Sequence, residues 1–335
     1  MEKTDFGQES VYMSTLATEA TKQNELYISD FCYAVQISVY LLKPIGAWPL
    51  MEKDVSLYKI VLHKLSMVIT TFLQIFTVVP WIVLIVKEKW DIMLILRTMC
   101  PLIFSLTIFA RYVLLLWHQD RLKTCVDRVA DDWRHTILTQ DREIMLVNAR
   151  LGRIFGIVSV AFMYSCGILY YLLPLILPNM ITEDNVTIRF HPSPCEFLVF
   201  NSKDSPAYEI VYCIQCLAGF TFYSAFCGIC SLMAHFVTHI CGQCDVLDSF
   251  LEEIVIGGEH NDGSIDDRIA NAISRHLRLL KLVSKVSGLF TEICLMEFIN
   301  ASCNICLLGY YIITVRYMIL VNKLKQLRMV FNEIV

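Results

Sequence analysis

Charge is what this sequence has little of. Of its 335 residues, 18% are Asp, Glu, Lys or Arg and 56% are hydrophobic, whereas soluble globular domains carry about 25% charged residues. Too few polar groups remain to coat a water-facing surface, which excludes an ordinary soluble domain. The net charge of −4 is spread without a long run of either sign, so there is no footprint for a nucleic-acid partner. The motifs of catalysis are missing too: there is no G-x-S-x-G, no P-loop, no H-E-x-x-H, and no G-x-G-x-x-G after a strand. His and carboxylates do not cluster within the apolar segments as an embedded enzyme would need. An enzyme is not expected, nor is a cofactor or a metal. A secretory signal is also lacking, because the first thirty residues are polar and acidic (Glu2, Asp5, Glu9, Glu19, Glu25, Asp30) and contain no apolar core. The first spanning helix is therefore expected to act as its own insertion signal.

Cysteine is plentiful, at 14 residues, but a disulfide framework is not indicated. Cys100, Cys166, Cys213, Cys216, Cys227, Cys230, Cys294, Cys303 and Cys306 lie in apolar runs, where free Cys behaves as a small hydrophobe. Cys195 falls well inside a loop and no second cysteine shares that loop.

What the chain does have is long apolar runs. A helix crossing a bilayer needs roughly 20 predominantly apolar residues. Five segments meet that length: 65–86, 93–117, 154–177, 210–237 and a fifth within 289–318. The second contains Arg97 and Arg111 near opposite ends, where long side chains can snorkel to the headgroups. An earlier stretch, 31–42, is too short to cross and is interrupted by Lys43, Pro44 and Gly46; it reads as an interfacial or re-entrant helix. The expected fold is an all-α integral membrane bundle.

Orientation follows from Lys and Arg in the connections. Residues 1–64 carry Lys43, Lys53, Lys59 and Lys64. The 118–150 connection and its flank carry Arg121, Lys123, Arg128, Arg134, Arg142, Arg150 and Arg153, and 238–288 carries Arg268, Arg275, Arg278, Lys281 and Lys285. The alternate loops hold Lys87 and Lys89 or Arg189 and Lys203. The N-terminus is thus expected in the cytoplasm, opposite to a G-protein-coupled receptor. The sequon Asn185-Val186-Thr187 falls in a loop that this rule places outside, making Asn185 a candidate glycosylation site.

The 118–150 connection places Leu122, Val126, Val129, Trp133 and Ile137 at helical spacing, with charge opposite. Such a face serves either an assembly partner or packing within the chain. Residues 246–256 continue the fourth span as an amphipathic helix, 257–263 form a flexible loop, and 266–285 resume a helix into span five.

His235 and His239 share a helix face and Cys241-x-x-Cys244 follows, a set that could supply four zinc ligands if the chain folded back. The uninterrupted apolar pattern favours a straight helix and packing at the membrane boundary instead. Glu292 and Glu297 mark the inner end of span five, either as a relay or as helix-end ion pairs. In the outer halves of spans two, three and four, aromatic, small and weakly polar residues gather: Met99, Ile103, Met163, Cys166, Gly167, Tyr170, Tyr212, Gln215 and Gly219. A mostly apolar pocket with a few hydrogen-bonding groups suits a small volatile or lipophilic ligand, although helix packing favours the same small residues.

Four local sequences, in order, resemble the insect odorant receptor family, in particular the receptors of ants, bees and wasps. They are 40–49 with Lys43, Pro44, Gly46, Trp48 and Pro49; 205–212 with Ser205, Pro206, Tyr208 and Tyr212; His239, Gly242 and Gln243 with Val246 and Leu247; and His276 to Leu280 leading to Glu297, Phe298 and the run from Cys306 to Tyr311. The resemblance implies one subunit of a tetrameric, odorant-gated, non-selective cation channel in the plasma membrane of a sensory dendrite. It also implies a seven-span bundle, a shared co-receptor as partner, and a ligand pocket in the outer half. The chain resembles a tuning subunit, since it lacks the co-receptor's long insertion between spans four and five. After Thr314 the family continues through two further spans. Here residues 319–335 form a basic tail, expected either to extend span five or to mark an incomplete, non-conducting product. A gustatory-type receptor channel is the alternative class.

Overall fold

The computed structural model describes residues 26–51, 55–87, 92–136, 138–176, 180–181, 187–188, 191–193, 197, 205–256 and 264–334. Its helices in chain order are α1 (Leu26–Leu42), α2 (Leu57–Lys87), α3 (Ile92–Trp117), α4 (Gln119–His135), α5 (Thr139–Ile176), α6 (Ala207–Ile256) and α7 (Ile265–Ile334). Between α5 and α6 a short antiparallel ribbon pairs β1 (Met180–Ile181) with β2 (Thr187–Ile188), Met180 opposite Ile188. Five of the helices are long and apolar enough to cross a membrane: α2, residues 94–117 of α3, α5, α6, and residues 265–321 of α7. They cover the five spans expected from the sequence except for residue 93 at the start of the second and residue 177, which lies outside the described residues, at the end of the third. Asn185 and the 257–263 loop lie outside the described residues.

Prolines interrupt the apolar helices without ending them: Pro80 in α2, Pro101 in α3 and Pro174 in α5. In lipid, a backbone carbonyl freed by proline must find another donor, and hydroxyls near these sites also turn back onto the chain. Ser105 Oγ donates to the Pro101 carbonyl at 2.9 Å and Thr77 Oγ1 to the Leu73 carbonyl at 3.1 Å.

Two compact units share these helices. The first comprises residues 1–63, 117–163 and 224–290. Helix α1 begins five residues before the expected stretch and ends where Pro44 cannot continue it. Gly46 takes φ 69°, and Ala47 N–H closes the turn on the Leu42 carbonyl at 2.9 Å. The turn is buried, with Leu42, Ile45 and Ala47 at most 1% exposed, and Gln119 Nε2 donates to the Gly46 carbonyl at 3.0 Å. Arg142 of α5 holds α1 by Asp30, with Nε–Oδ2 at 2.5 Å and Nη2–Oδ1 at 3.0 Å. That pairing keeps the Arg142 guanidinium above its usual range, chiefly through the hydrogen bond to Asp30.

The 118–150 connection is broken rather than continuous. Thr136 leaves the helical region and its hydroxyl donates back to the Asp132 carbonyl at 2.9 Å, so α4 stops and α5 starts again at Thr139. Leu122, Val126, Val129 and Trp133 are all buried. The apolar face of α4 is therefore packed within its own chain. Burial of the Asp141 carboxyl pushes its pKa up, with Arg275 opposing the shift and Glu253 adding to it.

The second unit comprises residues 64–116, 164–223 and 291–335. On α2 the buried face is Thr70, Gln74, Thr77, Val78 and Trp81, while Val68, Phe72, Val79 and Ile82 are exposed, a surface suited to lipid and not to water. The basic tail continues α7 as helix to Ile334. Along α7, Phe298, Ile305, Tyr310 and Ile313 are more than half exposed.

Candidate functional site

The residues singled out from the sequence map mostly to the second unit. Met99 and Ile103 are half-buried one turn apart on α3. Cys166, Gly167 and Tyr170 lie on α5; Tyr212, Gln215 and Gly219 lie on α6 at i, i+3 and i+7, a single helix face. Met163, half-buried on α5, belongs to the first unit.

Two glycines and two tyrosines interlock α5 with α6. A Cβ on Gly167 would lie 2.3 Å from Tyr223 Cε2, and a Cβ on Gly219 would lie 2.3 Å from Tyr171 Oη and 2.4 Å from its Cε2. Each helix thus offers a glycine to the tyrosine of the other, with the same spacing of four residues in both: Gly167 with Tyr171, Gly219 with Tyr223. The two rings meet edge-on, centroids 6.4 Å apart and planes at 77°, a favoured aromatic geometry. Tyr170 meets Tyr171 at 5.3 Å and 89°. Tyr164 reaches both Phe220 and Tyr223 at 6.0 Å, and Cys166 lies beside Tyr223. The surfaces of Gly167 and Gly219 are therefore occupied by tyrosine rings.

Gln215 is committed to the chain as well. It is 1% exposed. Its Nε2 donates to the Ser193 carbonyl at 3.1 Å, and its Oε1 accepts from the Ser193 N–H at 3.3 Å. This two-point clamp ties Ser193 to α6, and ring contacts hold two further residues of the connection. His191 stacks on Tyr208 at 4.8 Å, and Phe197 meets Phe76 of α2 at 5.3 Å. Tyr212 Oη donates to the Tyr171 carbonyl. The result is an aromatic wall with hydroxyl and amide groups set into it, met by His191, Ser193 and Phe197 of the α5–α6 connection.

Tyr171, Tyr223, Ser193 and Tyr208 were not among the expected site residues. The signal for the first two is present in the sequence as a repeated G-x-x-x-Y, at 167–171 and 219–223.

An ion pair joins α3 to α7 in this unit. Arg111 does not snorkel: it is 2% exposed, and its Nη1 donates to Glu297 Oε2, whose side chain is 38% exposed. A guanidinium buried without a partner would cost several kcal/mol, so the counter-charge on α7 outcompetes the headgroups. The Arg97 side chain lies outside the described residues.

His235 and His239 are buried in the first unit, at 4% and 3% exposure, with rings 6.2 Å apart. His239 Nε2 lies 3.3 Å from Asp132 Oδ2. Cys241 and Cys244 are exposed on the same continuous helix, so the chain does not fold back to bring the four together. Among the described residues no group of three or more His, Cys, Asp or Glu is arranged to hold a metal ion. A cleft of about 220 Å³ in this unit is lined by Asp132, His135, Asp141, Gln243, Arg275 and Arg278 among others. Its mixture of charges favours a ligand of neither sign.

A family model described as 7tm Odorant receptor matches residues 91–321, more than half of the chain. The fold is similar to that of the insect olfactory receptor OR5 from Machilis hrabei, with a TM-score of 0.62 and 14% identity over 85% of this chain and 72% of that one. The same receptor in complex with eugenol gives a TM-score of 0.64 at 14% identity, with the same coverage. At that identity the likeness speaks for the fold alone. No curated protein matches the chain.

Proposed function

The chain belongs to the 7tm odorant receptor family, and from that premise we propose that it is the ligand-binding, tuning subunit of an odorant-gated cation channel. It is a multi-pass membrane receptor and not an enzyme. The proposed ligand is small and lipophilic, held in the second unit beside Met99 and Ile103 of α3 and the α5–α6 wall built by Cys166, Gly167, Tyr170, Tyr212, Gln215 and Gly219. In this arrangement Gly167 and Gly219 act indirectly, by seating Tyr223 and Tyr171, and Gln215 acts by holding Ser193. Met163 is included on its sequence position.

Family membership over residues 91–321 carries the reading. The similar receptor solved with eugenol supports a ligand of that kind: apolar in bulk, with few polar groups, matching a wall of rings with hydroxyls set into it. The charge asymmetry of the connections supports a cytoplasmic N-terminus and an outer position for Asn185. The proposed partner is the family's co-receptor, in a hetero-tetramer at the plasma membrane of olfactory neurons.

The test is co-expression with that co-receptor. Surface delivery and odorant-evoked cation current should both require the two chains together. Surface delivery with no current to any member of a broad odorant panel would refute the receptor role.

A further inference from the structure

We propose that the Arg111–Glu297 ion pair is a latch that holds the receptor at rest, and that ligand bound beside α3 acts by loosening it. This rests on the receptor reading above. The two residues lie 186 positions apart in sequence and join α3 to α7 within one unit. Their surroundings are unequal: Arg111 is 2% exposed and Glu297 38%. The guanidinium cannot lose its proton and has the Glu297 carboxylate as a counter-charge. The carboxylate, partly exposed, has somewhere to go. A contact between a buried, permanently charged cation and a partly exposed carboxylate is suited to two discrete arrangements.

Helix α3 is the lever. Met99 and Ile103 stand on the same helix as Arg111, about 18 and 12 Å away along its axis. Pro101 lies between those two, and because it has no N–H the i→i−4 ladder lacks the bond to the residue-97 carbonyl; separately, Ser105 Oγ donates to the Pro101 carbonyl at 2.9 Å. Helices bend at such points. A ligand pressing at Met99 and Ile103 therefore acts where α3 is softest, and the displacement is delivered to Arg111.

Helix α7 is the element released. Below Glu297 the same side carries Asn300, 5% exposed, and Asn304, whose Nδ2 donates to the Asn300 carbonyl at 2.9 Å and to its Oδ1 at 2.8 Å. The other side presents Phe298, Ile305 and Ile313, all more than half exposed. Polar groups spaced three and four residues apart give α7 a seam along which one set of contacts can replace another, while its apolar side stays in lipid.

The experiment compares the full chain with Glu297→Gln, Arg111→Lys and the charge swap R111E/E297R, each co-expressed with the co-receptor and normalised to surface density. Glu297→Gln should raise the ligand-independent current roughly 5-fold or more and lower the half-maximal odorant concentration. Arg111→Lys keeps the charge but loses the guanidinium fork, and should do the same to a smaller extent. The swap should return both quantities towards wild type, whereas Arg111→Glu alone should not. Wild-type basal current and half-maximal concentration in Glu297→Gln would overturn the latch. If that variant fails to reach the surface, the same wild-type values in Arg111→Lys overturn it. A wild-type chain with no evoked current removes the receptor reading itself, and the latch with it; a responsive wild type with unaltered variants removes the latch alone.

Discussion

Replacing Gly219 by alanine adds one methyl group to the most crowded position between α5 and α6. The new Cβ would sit 2.3 Å from Tyr171 Oη and 2.4 Å from both Cε2 and Cζ, so the ring must move by about 1 Å to reach ordinary contact distance. The Tyr171 ring is not free to give way. It lies edge-on to Tyr170 at 5.3 Å and to Tyr223 at 6.4 Å, contacts worth roughly 0.5–1.5 kcal/mol each beyond burial. Overpacking adds about 1–3 kcal/mol, and the helix-propensity gain from Gly to Ala returns about 1 kcal/mol. A net loss of about 1–5 kcal/mol is expected. In the detergent-solubilised chain this corresponds to a fall in thermal midpoint on the order of 5 °C, read as folded monomer remaining after heating. Tyr171→Phe should rescue little, because it removes Oη but leaves Cε2 and Cζ in place. Tyr171→Leu should be strongly non-additive with Gly219→Ala. A Gly219→Ala chain with the wild-type midpoint, or strict additivity with Tyr171→Leu, would refute the interlocking.

Other consequences can be checked in the same preparation. Gln215→Leu leaves the Ser193 N–H and carbonyl buried without their partner, at a cost of about 1–3 kcal/mol, and limited proteolysis should then cut the α5–α6 connection at least several-fold faster. Asp30→Asn removes the charge from the bidentate contact with Arg142 and should loosen α1, raising amide exchange across residues 26–42 while α6 stays protected. Because the Asp141 pKa is raised in the folded state, its contribution to stability is fully present below the unfolded value of 3.8 and is lost as pH rises through the folded value. Asp141→Asn should therefore stabilise the chain at pH 7, with the gain vanishing towards pH 4; a destabilised variant at pH 7 would show that the Arg275 contact outweighs burial.

The spanning helices were legible because crossing a bilayer is a matter of length and composition, and residues 65–86 or 210–237 need only be counted. The turn after α1 was legible for a similar local reason, since Pro44 and Gly46 act on their own backbone. The break at Thr136 was not, because the apolar spacing from Leu122 to Trp133 runs up to it and a single residue leaving the helical region changes no periodicity. Pairings between distant helices were hidden for another reason. Whether Arg111 reaches headgroups or Glu297, and whether Gly167 faces a ligand or Tyr223, depends on how each helix is rotated about its axis, and sequence spacing on one helix does not state that. The same holds for Gln215, whose partner is a backbone group in the α5–α6 connection. The aromatic and small residues of the candidate site were found by type. Their neighbours Tyr171 and Tyr223 were passed over because a tyrosine in an apolar run gives no sign of which helix it meets.

The proposed ligand site is tested most directly by odorant-evoked current from the chain with its co-receptor, compared between wild type and Ile103→Trp at equal surface density. A larger side chain at this position of α3 should abolish responses to the larger effective odorants and re-rank the rest. The same rank order and the same half-maximal concentrations across the panel would contradict a ligand held against Ile103.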